Sequence, residues 1–288
     1  MKISVVTDEI SSDLETAMEL ASDWGVDAVE LRGYGENRVP FFSAYQLSRL
    51  EDLIGTFNIP VAAISPGLFK YRYPDDTYHS FPVSAIDQEM FIRYKETADS
   101  VKFQLNEVLP ASFEFAKKIG TNLIGIFSFE RIPGMDQPGD SVICTLAEAA
   151  KSAEREGMTL VMETEAGHWA DTGRHASELV RLVNSPALMI NWDPGNSAEA
   201  GDIPYPDGYG YVKQFVRHVH FKDVEKAKDG SCRYCVRGTI QWKDQINALK
   251  ADDYDGYISV ETHMRPKISA AKKSIDYLKS ILDYWKGY

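Results

Sequence analysis

Four stretches of the chain end an apolar run with a residue type able to hold a cation. They are Thr159-Leu160-Val161-Met162-Glu163-Thr164-Glu165, Met189-Ile190-Asn191-Trp192-Asp193-Pro194-Gly195-Asn196, Arg217-His218-Val219-His220-Phe221-Lys222-Asp223 and Ile258-Ser259-Val260-Glu261. A single strand-end carboxylate is often only a structural hydrogen-bonding group, but carboxylates and imidazoles ending four successive runs point to one shared site. Three carboxylates and an imidazole converging in a partly dry pocket would repel one another unless a cation balanced them. A divalent metal is the natural counter-ion. Hard oxygen donors with one imidazole suit Mn²⁺, Mg²⁺, Co²⁺ or Zn²⁺, and Mn²⁺ is placed first among these.

Such residues converge only if the elements deliver them to one end of the molecule. Side chains alternate along a strand, so His218 and His220 share one face and Val219 and Phe221 the other, while Glu261 and Ser259 separate from Val260 and Ile258. Eight β-rich runs recur, with helical stretches between them: Ile3 to Thr7, Ala28 to Arg32, Val61 to Ser65, Leu123 to Phe129, Thr159 to Glu163, Ala187 to Asp193, Val216 to Phe221 and Tyr257 to Glu261. Most are apolar on both faces until a polar residue closes them, as expected of parallel strands buried on both sides. The expected fold is α/β, a single (β/α)8 TIM barrel spanning residues 1–288, whose C-terminal rim carries the polar set.

The helices carry their own punctuation. Ser12-Asp13-Leu14-Glu15 has capping-box spacing, Leu14, Ala17, Met18 and Ala21 form one apolar face, and Gly25, Gly120 and Gly157 stand where C-terminal caps belong. Ala270 to Trp285, with Ile275, Leu278, Leu282 and Trp285 at helical spacing, is the expected eighth helix. A long insertion after the third strand runs from Pro66 to Gly120, with a loop through Tyr71, Tyr73, Pro74, Asp75, Asp76 and Tyr78, a helix from about Ile86, and a kink or split at Pro110. It reads either as an active-site wall or lid or as a surface excursion.

Composition narrows the partners. Lys and Arg number 31 against 43 Asp and Glu, giving a net charge of -12, which disfavours nucleic acid and anionic membrane surfaces. Asp8 and Glu9 interrupt the only early apolar run, no stretch is long enough to span a membrane, and three cysteines make no disulfide framework. The expectation is a cytoplasmic enzyme of a small molecule, with no nucleic acid or membrane partner and a composition compatible with a homo-oligomer. Cys232-Arg233-Tyr234-Cys235 has redox or zinc spacing but no second pair, and reads as a plain loop.

The segments from Gly157 to His263 resemble the xylose-isomerase-like barrel family of sugar isomerases, epimerases and related endonucleases. The marks are Glu163 within Leu160-Val161-Met162-Glu163-Thr164-Glu165, the run Asn191-Trp192-Asp193-Pro194-Gly195-Asn196, the run His218-Val219-His220-Phe221-Lys222-Asp223, and Gly256-Tyr257-Ile258-Ser259-Val260-Glu261-Thr262-His263. The resemblance implies Glu163, Asp193, His220 and Glu261 as metal ligands, with Asn196 and His218 near the substrate. Endonuclease members carry extra histidines, whereas this chain has Asn196 at such a position and six histidines in all. Arg237-Gly238-Thr239-Ile240-Gln241-Trp242 stands where many isomerase-like members carry Gly-Glu-Gly.

The implied chemistry is carbohydrate isomerisation or epimerisation. A metal chelated by a carbonyl and its neighbouring hydroxyl acidifies the intervening C–H, and Glu163 and Glu261 are the candidate acid and base on either side of an enediolate. His168, and beside it Trp169, together with Lys222, are candidates for contacting a sugar or polyol-derived substrate, and His263 for supporting Glu261. A lyase, dehydratase or glycoside-cleaving enzyme using the same carboxylates is the alternative, and a non-catalytic binding barrel a more distant one. The order of residues leaves open which sugar, and whether it is phosphorylated, although the few basic residues near the strand ends favour a free one, and no Gly-rich phosphate loop is present.

Overall fold

The computed structural model describes residues 1–73, 100–132, 134–227 and 231–283. Eight parallel strands close on themselves: β1 (Lys2–Val6), β2 (Ala28–Leu31), β3 (Val61–Leu68), β4 (Leu123–Ile126), β5 (Thr159–Glu163), β6 (Leu188–Trp192), β7 (Val216–Phe221) and β8 (Tyr257–Val260). Each strand pairs with its neighbours in chain order, and β8 returns to β1 in a register that sets Lys2 against Tyr257 and Val5 against Val260. The eight expected runs are these eight strands, with ends differing by at most three residues.

Outward-facing apolar side chains meet a ring of helices that includes α1 (Leu14–Asp23), α2 (Ala44–Phe57), α3 (Leu109–Ile119), α4 (Asp140–Glu156), α5 (Gly173–Val183), the short α6 (Pro194–Glu199), α7 (Trp242–Ala251) and α8 (Lys267–Asp283). The face of α1 made by Leu14, Ala17, Met18 and Ala21 is buried as expected, but its N-cap is Asp13, which accepts from the Thr16 backbone, rather than Ser12 in a capping box. Gly120 and Gly157 end α3 and α4 at φ of 80° and 69°, a left-handed turn that side chains resist. Ile275 and Leu278 of α8 are fully buried, while Trp285 lies outside the described residues.

In the insertion, Tyr71 and Tyr73 pack against Phe129, and the expected loop residues Pro74, Asp75, Asp76 and Tyr78 and the helix from Ile86 lie outside the described residues. Pro110, which has no backbone N–H, sits in the first turn of α3 directly after a widened helical turn over Gln104–Val108, so the expected irregularity lies just before it within a continuous helical run. The run from Cys232 to Cys235 is not a loop. It is a strand paired antiparallel with Asp223–Lys226, and strand alternation sends residues three apart to opposite faces, so its two thiols do not form a metal or redox pair. Among the described residues no helix is long and apolar enough to cross a membrane.

Candidate metal and catalytic site

β5 ends on Glu163, Asp193 follows β6, His220 sits on β7 and Glu261 follows β8. The four are buried, and each offers a ligand atom within 4.8 Å of those of the others. His220 is the hub: its Nδ1 lies 3.4 Å from Glu163 Oε1, 3.4 Å from Glu261 Oε2 and 3.7 Å from Asp193 Oδ2. Asp193 is also the N-cap of α6, where its Oδ1 accepts from the Asn196 backbone at 2.9 Å, which leaves Oδ2 turned to the cluster. Thr164 fixes the same turn, its hydroxyl accepting from Asp193 N at 2.9 Å.

Lys222 enters between two of these carboxylates, its ammonium 2.7 Å from Glu261 Oε2 and 3.0 Å from Asp193 Oδ2. The Asn196 amide donates to Glu163 Oε1 at 3.1 Å and Glu165 Oε2 at 2.7 Å, so it braces the ligand-type carboxylate. His218 lies deeper in the barrel, bound through Nε2 to Glu30 at 2.8 Å. His168 is buried after β5, its ring 5.6 Å from Phe127, outside the group of four. Trp169 packs beneath the Arg131 guanidinium, 5.0 Å from its ring, and is 2% exposed, so its ring is covered rather than offered as a wall. His263 stands half-exposed at the rim, 3.4 Å from Glu261 Oε2 and 3.3 Å from Glu9 Oε1.

Sequence reasoning passed over a second layer. Arg32 joins Asp8, Glu9 and Glu261, and Glu9 accepts from the backbone of Thr262 and His263. Glu30 binds both histidines of β7. The signal was present, since Glu30 and Arg32 alternate with Val29 and Leu31 and so project inward from an otherwise apolar strand.

Burial drives the Glu163 carboxyl above its ordinary range, with the Glu261 charge adding to the effect and His220 opposing it. Glu261 is displaced the other way. Burial alone would raise it, but Lys222, His263 and His220 outweigh that and hold it well below the usual carboxylate range. His263 is raised to about 9, chiefly by Glu261.

A divalent cation fits this donor set. Three carboxylates gather round one imidazole, and His220 Nδ1 is buried among them without a hydrogen bond. The Lys222 charge offsets only part of three buried negative charges.

A model of the family described as a xylose isomerase-like TIM barrel matches residues 18–281. The chain belongs to that family. Within curated proteins, an inosose dehydratase of Clostridium beijerinckii is 25% identical over 154 residues, covering 46% of this chain and 51% of that protein. The chain thus spans about half the length of the curated relatives it matches. Among solved xylose isomerase-like barrels and their neighbours, a probable 3-DHS dehydratase from Bacillus anthracis superposes with a TM-score of 0.70 at 17% identity, over 97% of this chain and 99% of that one. A D-allulose 3-epimerase from Methylomonas sp., in complex with D-allulose, gives a TM-score of 0.68 at 14% identity, over 97% and 96% of the two chains. At these identities the structural likenesses speak for the fold alone.

Proposed function

We propose that the protein is a divalent-metal-dependent isomerase or epimerase of a neutral sugar or polyol-derived ketone. The observation that carries this reading is the pair Glu163 and Glu261, buried together with Asp193 and both set against His220 Nδ1 at 3.4 Å. Two carboxylates converging on one site can divide acid and base duties between them.

Glu163, Asp193, His220 and Glu261 would hold the ion. When bound, it would polarise a substrate carbonyl and an adjacent hydroxyl and so acidify the C–H between them. Glu261 takes that proton, and Glu163 on the other side of the site returns one. Return to the same carbon inverts it, whereas return to its neighbour gives aldose–ketose isomerisation. The Lys222 ammonium donates to the oxygen on which charge develops, and Asn196 keeps the Glu163 carboxyl oriented. His168 lies beside the substrate space in this reading, while His218, deeper in the barrel, acts through its bond to Glu30. Around the group of four, Arg32 and Lys70 are already engaged by Glu9 and Glu165, which favours a substrate without carboxylate or phosphate.

A dehydratase is the second reading, favoured by the inosose dehydratases among the curated relatives. Proton abstraction by Glu261 is common to both, and the reactions part at expulsion of a β-hydroxyl. The test incubates the Mn²⁺-loaded protein in deuterated water with a panel of free ketoses and inososes. An epimer or isomer carrying solvent deuterium, with turnover lowered about 10²–10⁴-fold in Glu261→Gln, is expected. Loss of water with no epimer formed would select the dehydratase.

A further inference from the structure

We propose that Glu30, at the middle of β2, is a positioning residue that fixes the orientation and proton placement of His220, so that Nδ1 presents its lone pair to the three carboxylates. This rests on the metal site proposed for the same cluster. Glu30 is 1% exposed and spans the barrel interior from β2 to β7. His218 Nε2 lies 2.8 Å from its Oε2, and His220 Nε2 lies 3.2 Å and 3.3 Å from its two oxygens. The carboxylate is itself held by Ser65, whose hydroxyl donates to Oε1 at 2.6 Å. Gly125 leaves room for that hydroxyl, because a Cβ there would fall 2.7 Å from Ser65 Oγ.

An ionised carboxylate only accepts, so the imidazole nitrogen facing it must carry the proton. A neutral ring with its proton on Nε2 has a bare Nδ1, and Nδ1 is the atom set among Glu163, Asp193 and Glu261 without a hydrogen bond. The Asn191 side-chain amide also reaches Nε2, at 3.0 Å through its nitrogen, while its Oδ1 has no hydrogen-bond partner. Nitrogen and oxygen of such an amide exchange places by a half-turn, which sets Oδ1 as a second acceptor beside the Nε2 proton that faces Glu30. A carboxylate behind the ring raises the basicity of the opposite nitrogen, the one that would face an ion held by this cluster.

The test titrates wild type and Glu30→Gln with Mn²⁺ by calorimetry and records histidine ¹⁵N spectra of the Zn²⁺-loaded wild type. The expected result is binding about 10–100-fold weaker in the variant, with His220 protonated at Nε2 and not at Nδ1 in the wild type. Affinities within twofold, or a His220 Nε2 without its proton, overturn the proposal. If circular dichroism shows Glu30→Gln unfolded, Ser65→Ala replaces it, with several-fold weaker binding expected and unchanged binding overturning the idea. A wild type that binds no Mn²⁺ overturns the metal site itself, and is seen before any variant is compared.

Discussion

Lys222 concentrates the electrostatics of the site in one side chain. Its ammonium is buried against Asp193 and Glu261, and their charges raise its proton affinity well above the ordinary range despite the burial that opposes this. Removing one partner of such a buried set leaves the other charges uncompensated, typically at about 3–5 kcal/mol. Lys222→Met is therefore expected to lower the urea midpoint of metal-free protein by a free-energy equivalent in that range, with saturating Mn²⁺ recovering part of it. A midpoint equal to wild type in chelator would show that the ammonium is not needed to balance the cluster. Individual ligand-type residues were legible because each closes an apolar run, as Glu163, Asp193 and Glu261 do. Glu30 and Arg32 were harder to read, since β2 is short and their value lies in partners more than 180 residues away in sequence, His218 and Glu261.

Among the elements, strand parity did most to make the fold readable. A period of two sends His218, His220, Ser259 and Glu261 inward together, and the strands β5 to β8 end where the sequence pattern places them, within one residue at either end. Helix starts were less legible because two adjacent polar residues compete for the cap. At α1 the competition was won by Asp13, which accepts from both the backbone and the hydroxyl of Thr16. The Thr16 bonds hold its carboxyl below the ordinary carboxylate range. The capping contribution is therefore present above the unfolded-state value near pH 4 and is lost as pH falls through the lower folded-state value. Asp13→Ala is expected to lose about 1 kcal/mol at about pH 7, with the gap from wild type narrowing as pH falls below the unfolded-state value. Urea midpoints of both proteins across that range check it, and a gap independent of pH would leave the charge without a part in the cap. The Cys232–Cys235 hairpin escaped sequence reading because its strand partner, Asp223–Lys226, follows β7 with only Lys222 between and reads as that strand's tail.

At the scale of the whole molecule, the proposed ion ties together the ends of four strands, and so should stabilise the barrel by mass action. At about one hundred times its dissociation constant a ligand adds about 2.7 kcal/mol if the unfolded chain does not bind it. Melting of the chelated protein is expected several degrees below that of the Mn²⁺-loaded form, rising with metal concentration, and a melting temperature indifferent to Mn²⁺ would argue against an ion shared by the four strands.

The seam between β1 and β8 carries a consequence for synthesis. Ser4 and Ser259 meet hydroxyl to hydroxyl at 2.6 Å, yet 255 residues of chain separate them. At roughly 5–20 residues per second, a ribosome needs roughly 13–51 s to make that stretch. Throughout that interval the nascent first strand has one edge without its mate, and the ring cannot shut until β8 has emerged. Translation arrest before β8 would thus leave an open, association-prone sheet.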